Sequence, residues 1–157
     1  MSALDYVHAF EASDVGQFFL GVDSSFVVLF QLLHIGGFLL LLTAALLLVL
    51  NAFGALWVVE GQAQQVRGLY RAMLYGLILA SVSGAALFAT SATHYFTNKA
   101  MPVKMILLLS AALASWIVLK KGLSEQGAPS GRAKVAALAI VTLWFATGFA
   151  GRAIGFV

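Results

Sequence analysis

A continuous apolar run, Phe26 to Leu50, constrains this chain more than any other feature. An α-helix needs about 20 predominantly apolar residues to cross the hydrocarbon core of a bilayer, and this run is long enough to do so. Its one ionisable side chain, His34, lies well inside the run. Ionisable groups at that depth are costly and usually functional. The run therefore predicts a membrane-spanning helix with a histidine as its candidate functional residue.

Three further apolar runs follow, so the sequence predicts an all-α fold, a transmembrane antiparallel four-helix bundle. Composition agrees, because 62% of the residues are hydrophobic and only 10% are charged, whereas roughly a quarter are charged in soluble domains. Pro102 is expected in the first turn of the third helix, where its missing N–H costs nothing. The predicted spans, within one membrane domain at 25–157, are about 26–50, 70–92, 102–120 and 134–156.

The segment 1–24, predicted to lie outside the cytoplasm, contains acidic side chains but no Lys or Arg. Its apolar residues recur at approximately helical spacing. These are Val7, Phe10, Val15, Phe18 and Phe19. The segment is therefore either an amphipathic helix on the membrane surface or a simple polar leader to the first span.

The distribution of basic residues predicts the orientation of the bundle in the membrane. One side has six, at Arg67, Arg71, Lys120, Lys121, Arg132 and Lys134. The other side has Lys99, Lys104 and Arg152. Because cytoplasmic loops carry the excess of Lys and Arg, we expect a multi-pass protein of the bacterial inner membrane with both termini extracytoplasmic. The charges are explained by topology, and no nucleic-acid partner is predicted.

Small residues predict close helix packing. Gly76, Ala80 and Gly84 form a small-xxx-small stripe on the second span, and Gly151 and Gly155 repeat the spacing on the fourth. The pair at 36–37 directly follows His34 and has two interpretations, close helix contact or clearance for a flat ligand beside the histidine.

Candidate site residues concentrate in the outer half of the predicted bundle. They are Gln31, His34, His94, Lys104 and Arg152, together with Asp23. Imidazole is a good axial ligand for haem iron and a good copper ligand, so His34 and His94 are the candidate metal ligands. The outer cations suit haem propionates. The pattern predicts a haem b site, with copper as the alternative.

Each candidate also has a purely structural interpretation. His34 is suited to a hydrogen bond with a neighbouring helix, and the cations near the span ends are suited to snorkelling to the interface. His94 sits among interfacial aromatic residues such as Tyr95. In the predicted spans the two histidines also differ in depth by about 10 Å at 1.5 Å per residue, which opposes their joint ligation of one metal.

Short segments resemble the copper-resistance D (CopD-like) group of small bacterial inner-membrane proteins. They are LLHIGGFLLL in the first span, NKAMPVKMILLL at the third and LWFATGFAGRAIGF in the fourth. The resemblance maps a recurrent His and Lys onto His34 and Lys104, and a Gly-Arg pair onto Gly151 and Arg152, and it implies copper handling. A similar His and Lys pairing in the four-helix HemJ-type protoporphyrinogen oxidases implies haem b binding instead.

Two hypotheses follow for function. The first is a haem-b-binding redox or accessory subunit in the bilayer, with an extracytoplasmic cytochrome as a candidate partner. The second is a structural subunit that joins other membrane subunits, or further copies of itself, through its small-residue faces. The sequence contains no motif that identifies a reaction.

Overall fold

A computed structural model describes residues 2–53, 62–122 and 131–156, and within these ranges every regular element is an α-helix. The all-α prediction is confirmed. In chain order the helices are α1 (Ala3–Glu11), α2 (Asp14–Leu20), α3 (Ser24–Ala52), α4 (Gln62–Ala89), α5 (Ala92–Thr97), α6 (Ala100–Gly122) and α7 (Gly131–Ala153).

Four of these helices, α3, α4, α6 and α7, are long and apolar enough to cross a membrane. This is the architecture of a multi-pass membrane protein. Helix α4 begins at Gln62 and ends at Ala89, whereas the predicted span ran from 70 to 92, because its polar first two turns continue the helix. Pro102 lies in the first turn of α6, as expected.

Short polar side chains fix where the first three helices start. Ser2 and Asp5 form a capping box on α1, and Ser13 accepts a hydrogen bond from the Gly16 N–H at the start of α2. The Asp23 carboxylate accepts from the Ser25 N–H and caps α3. Within the segment 1–24, residues 3–11 and 14–20 therefore form two capped helices.

The long helices are arranged in the order α4, α3, α7, α6. Helix α4 packs along α3, α6 packs along α7, and the α3–α7 contact joins the two pairs, while no interface of similar extent joins α4 to α6 in the described ranges. We use two names below. The capped end is where α3 and α6 begin, where α4 and α7 end, and where α1, α2 and α5 lie. The linker end is the opposite one, next to the connections 54–61 and 123–130.

The tightest crossing is between α3 and α4. A Cβ atom on Gly37 would lie 2.7 Å from the Ala80 nitrogen, and one on Gly76 would lie 2.6 Å from the Gly37 oxygen. The two backbones therefore touch, which confirms the small-residue stripe of α4 as a packing face. Gly36, in contrast, has open space around its Cβ position. Of the pair at 36–37, Gly37 packs and Gly36 does not.

The buried apolar core lies from the middle of the bundle toward the linker end. Leu41 and Trp144 are its largest fully buried side chains, and they pack with alanines such as Ala44, Ala45 and Ala111. The Trp144 indole N–H donates to the Ser115 hydroxyl at 3.2 Å, and that hydroxyl donates to the Ala111 carbonyl at 2.7 Å. Both buried polar groups are thus satisfied across the α6–α7 interface.

Candidate functional site

His34 lies within the membrane-spanning part of the bundle, facing α4. It is the eleventh residue of α3, so it stands about 15 Å from the capped end of that helix at 1.5 Å per residue. Its side chain is half-buried. The predicted depth of this histidine in the first span is therefore consistent with the helix bounds.

A hydrogen bond to α4 holds the imidazole of His34. Its Nδ1 atom lies 2.7 Å from the Ala80 carbonyl oxygen. A carbonyl oxygen only accepts hydrogen bonds, so Nδ1 must carry the proton in this contact. In the neutral ring the lone pair is then on Nε2. Histidines that ligate metals through one ring nitrogen almost always donate the other N–H to a carbonyl, a carboxylate or water.

Gly84 makes room for this imidazole. A Cβ atom at position 84 would lie 2.9 Å from Cε1 and 3.0 Å from Nδ1 of His34. Such contacts are too short for a side chain, so only glycine permits the ring to lie against α4 in this orientation. The small-residue stripe thus has a second role beyond packing, because it provides the surface on which the histidine rests.

Lys104 is a second basic group, within electrostatic range of His34. It lies in the second turn of α6, is half-buried, and is close enough to His34 to interact with it electrostatically. Its side chain runs past Gly151, where a Cβ atom would lie 3.5 Å from Cε and 3.6 Å from Nζ. Helices α3, α4, α6 and α7 contain no Asp or Glu. The site is therefore basic and suited to an acidic or electron-rich ligand.

The other predicted residues have surroundings of their own. Gln31 is exposed on α3, and the exposed Arg152 places its guanidinium carbon 4.8 Å from the centre of the Phe156 ring. Asp23 caps α3, and the hydrogen bonds from Ser25 lower the pKa of its carboxyl. Gly155, expected to pack on another helix, lies past the end of α7, where its Cβ position is nearest to the Arg152 oxygen.

His94 is on α5, beyond the end of α4. Its exposed ring makes an edge contact with Tyr95 at a centroid distance of 5.6 Å. Ala80, the partner of His34, lies nine residues before the end of α4 at Ala89, which is about 14 Å along the helix. His34 and Lys104 thus lie within electrostatic range of each other, whereas His94 lies on α5 at the capped end, beside Tyr95.

The sequence analysis missed a contact that joins α1 to α5 at the capped end. The two carboxylate oxygens of Glu11 accept from the backbone N–H and the hydroxyl of Thr93, each at 2.7 Å. Ser91, at the start of α5, makes no capping bond, so Glu11 serves that helix terminus from α1. These bonds from Thr93 lower the pKa of Glu11. Because 82 residues separate the partners, no local sequence pattern could have indicated the contact.

Neither a metal cluster nor a known relative identifies the site. The described residues contain no group of three or more His, Cys, Asp or Glu side chains that could hold a metal ion. The chain matches no family model, no curated protein and no solved structure. The candidate site therefore rests on its own geometry, which is a bonded imidazole with a basic neighbour in the capped half of the bundle.

Proposed function

We propose that this protein is a haem-b-binding subunit of a membrane redox system, with His34 as the axial ligand. The observation that carries the proposal is the Nδ1 hydrogen bond from His34 to the Ala80 carbonyl. It orients the ring, leaves the Nε2 lone pair for a metal, and raises the basicity of the ligand. The proposal requires one axial imidazole and does not depend on His94.

Lys104 supports a tetrapyrrole in particular. Its ammonium group is within electrostatic range of His34, and no acidic side chain in the four long helices competes for it. It would hold a propionate carboxylate through a charge-assisted hydrogen bond, with Arg152 as a second cation at the same end of the bundle. Once bound, the haem would supply one-electron chemistry, while the protein supplies orientation and charge.

Haem is favoured over the copper handling that the CopD-like resemblance implies. A copper ion needs several protein ligands of its own, and the described residues offer no cluster of them. A haem brings four ring nitrogens and needs from the protein chiefly an axial ligand and partners for its carboxylates. The resemblance to HemJ-type proteins agrees with this choice.

The test is spectroscopic. The full chain purified from haem-replete cells should show a Soret band, and His34→Ala should abolish it, because the axial ligand is lost. His8→Ala is the matched control, since His8 is an exposed histidine outside the long helices and should leave the band intact. A colourless wild-type protein, or a band that survives His34→Ala unchanged, would refute the proposal.

Variants of Lys104 and His94 test which other residues hold the haem. Lys104→Met should retain the Soret maximum but release haem at least several times faster, because a carboxylate partner is lost. His94→Ala should leave the spectrum unchanged. If His94→Ala instead converts a six-coordinate low-spin spectrum into a five-coordinate one, His94 is the second ligand and the helix ends must come closer together than in this structure.

We further propose that the capped end faces outward from the bacterial inner membrane. The excess of basic residues at the linker end supports this orientation, and it would make the site reachable by an extracytoplasmic cytochrome. A phosphatase reporter fused after residue 157 should be active, and one inserted at position 127 should not. The reverse pattern would invert the bundle and exclude such a partner.

A second candidate function is that of a structural subunit. Helix α6 exposes a continuous apolar stripe of Ile106, Leu109, Leu113 and Ile117, and its main packing partner is α7. Such a stripe suits contact with lipid and equally suits another subunit. Chemical cross-linking in native membranes should then give a defined larger species, whereas a monomer both in membranes and in mild detergent would argue against this function.

A further inference from the structure

The bundle contains a groove at its linker end, between α4 and α6. The groove encloses about 490 Å³, which falls within the range of roughly 300–1,000 Å³ that is usual for small-molecule sites. It exists because α4 packs on α3 and α6 packs on α7, while α4 and α6 do not close against each other. It is distinct from the His34 site, and no residue used above to hold a haem lines it.

The walls of the groove are apolar. Leu74 and Leu77 contribute from α4, Ala112 and Trp116 from α6, and Trp144 from α7. The polar atoms nearest the interior do not change this character, because the Trp144 N–H and the Ser115 hydroxyl are bonded to each other and to the Ala111 carbonyl. The interior therefore offers a ligand dispersion contacts rather than hydrogen bonds, as a hydrocarbon chain requires.

One end of the groove is basic. Arg67 and Arg71 lie four residues apart on α4, so they are neighbours on one helical face, and both are exposed. Tyr70 lies between them in sequence and also lines the groove. Paired guanidinium groups bind phosphate with defined geometry, and basic pockets between membrane helices bind anionic lipid headgroups. The groove thus changes from cationic at its mouth to apolar inside.

We propose that this groove binds an anionic phospholipid. Arg67 and Arg71 hold the headgroup phosphate, and an acyl chain lies between α4 and α6 against Leu74 and Trp116. A helix from a second copy fits the volume less well, because two turns of a helix about 10 Å wide occupy on the order of 800 Å³. It would also provide no anion for the arginines unless it carried an acidic residue, and the long helices of this chain have none.

Lipid binding to the purified full chain tests the proposal. Native mass spectrometry with added dioleoyl phosphatidylglycerol or dioleoyl phosphatidylcholine should show about a 30-fold preference for the anionic lipid, since each arginine near a lipid surface contributes about fivefold. The double variant Arg67→Gln/Arg71→Gln should lose this preference, and each single variant should lose part of it. Arg132→Gln is the matched control, because it removes an exposed arginine at the same end of the bundle but outside the groove.

A second variant tests the apolar part independently of the arginines. Ala112→Trp fills the space between α4 and α6 and should reduce the binding of both lipids by at least tenfold, while glycerol 3-phosphate without acyl chains should not compete. The proposal is overturned if Arg132→Gln lowers the preference as much as the double variant does, if Ala112→Trp leaves lipid binding unchanged, or if glycerol 3-phosphate displaces the lipid. Efficient disulfide cross-linking between two copies of Leu74→Cys in native membranes, in a chain without other cysteines, would identify a second copy as the occupant instead.

Discussion

The half of the bundle near the linker end and the half near the capped end differ in the kinds of side chain that they bury. Toward the linker end, Leu41 and Trp144 are fully buried among alanines, and the polar atoms of that core are bonded. Toward the capped end, two half-buried basic side chains, His34 and Lys104, each lie beside a glycine, Gly84 and Gly151. The stability of the fold is thus concentrated in one region, and its candidate chemistry in the other.

The largest expected effect is in the core. Trp144→Ala should lower the free energy of unfolding by about 3 kcal/mol, because it leaves a cavity between α3, α6 and α7. Phe145→Ala removes a neighbouring aromatic ring that is 44% exposed and should change it by less than about 1 kcal/mol. Both are measured by denaturant titration in mixed micelles.

His34→Ala, measured in the same titration, decides whether the comparison holds. It removes one interhelical hydrogen bond, for which about 0.6 kcal/mol is typical in a membrane protein. A loss as large as that of Trp144→Ala would mean that the histidine is a structural element, and the separation between the two halves would disappear.

The next largest loss of unfolding free energy is expected at the crossing of α3 and α4, where the two halves of the bundle meet. Gly76→Ala should destabilise the protein by about 2 kcal/mol, because the new methyl group would overlap the Gly37 oxygen and the Leu41 nitrogen at 2.6 Å and force α3 and α4 apart. Gly36→Ala, in open space on α3, should be neutral or stabilising. Equal losses in the two variants would show that the crossing is looser than described here.

A smaller effect tests the polar part of the core. Ser115→Ala removes the acceptor of the buried Trp144 N–H and should cost about 1 kcal/mol of unfolding free energy. Ser110→Ala changes an exposed serine of the same helix and should have almost no effect. If both substitutions are silent, the indole must find another acceptor once Ser115 is removed.

The smallest effect on stability is expected at the contact of α1 with α5 at the capped end, and it should be confined to these two helices. Glu11→Gln keeps only one acceptor oxygen, so it cannot serve both the N–H and the hydroxyl of Thr93. Hydrogen exchange measured by mass spectrometry should become faster in α1 and α5 while the long helices stay protected. Asp14→Asn, which alters an exposed acid of α2, is the control and should leave exchange in α5 unchanged.

Acid should reproduce the Glu11→Gln phenotype in the wild-type protein. The bonds from Thr93 lower the pKa of Glu11, so the contact is fully formed above the ordinary glutamate value of about 4.3 and is lost as the pH falls through the lowered value. His8, whose Nδ1 lies 3.9 Å from the same carboxylate, adds attraction when it is protonated. The quantity to compare is the protection of the α5 amides relative to their intrinsic exchange rate at the same pH. A loss of this protection already near neutral pH would contradict the assignment.

The long helices and the depth of His34 in the first of them were accessible to sequence analysis, because each depends on a local property. Hydropathy over about 20 residues located all four apolar helices, and the depth of His34 in its run marked it as the candidate residue. Helix α4 begins before the predicted span at 70–92 because hydropathy detects the apolar part of a helix, whereas the polar turns from Gln62 onward are helical without being apolar.

Contacts between helices were not accessible in the same way. Gly36 and Gly37 are the same residue type, and the face that α3 turns toward α4 determines which one touches a neighbouring backbone. The hydrogen bond from His34 ends on the backbone of Ala80, and every residue type offers the same carbonyl group. The stripe of small residues indicated that something would pack there, but its spacing carried no information about the imidazole against Gly84.

The order of the helices in space has a consequence for biogenesis. The two most extensive interfaces join α3 to α4 and α6 to α7, which are neighbours along the chain. Among the long helices as the structure describes them, α3 and α7, which meet where Phe38 lies against Gly148, form the main contact between helices that are not neighbours along the chain. Each helical hairpin can therefore form as soon as its own two helices have left the ribosome and entered the bilayer. Docking of α3 on α7 is then the step that completes the molecule, and it brings Lys104 within electrostatic range of His34.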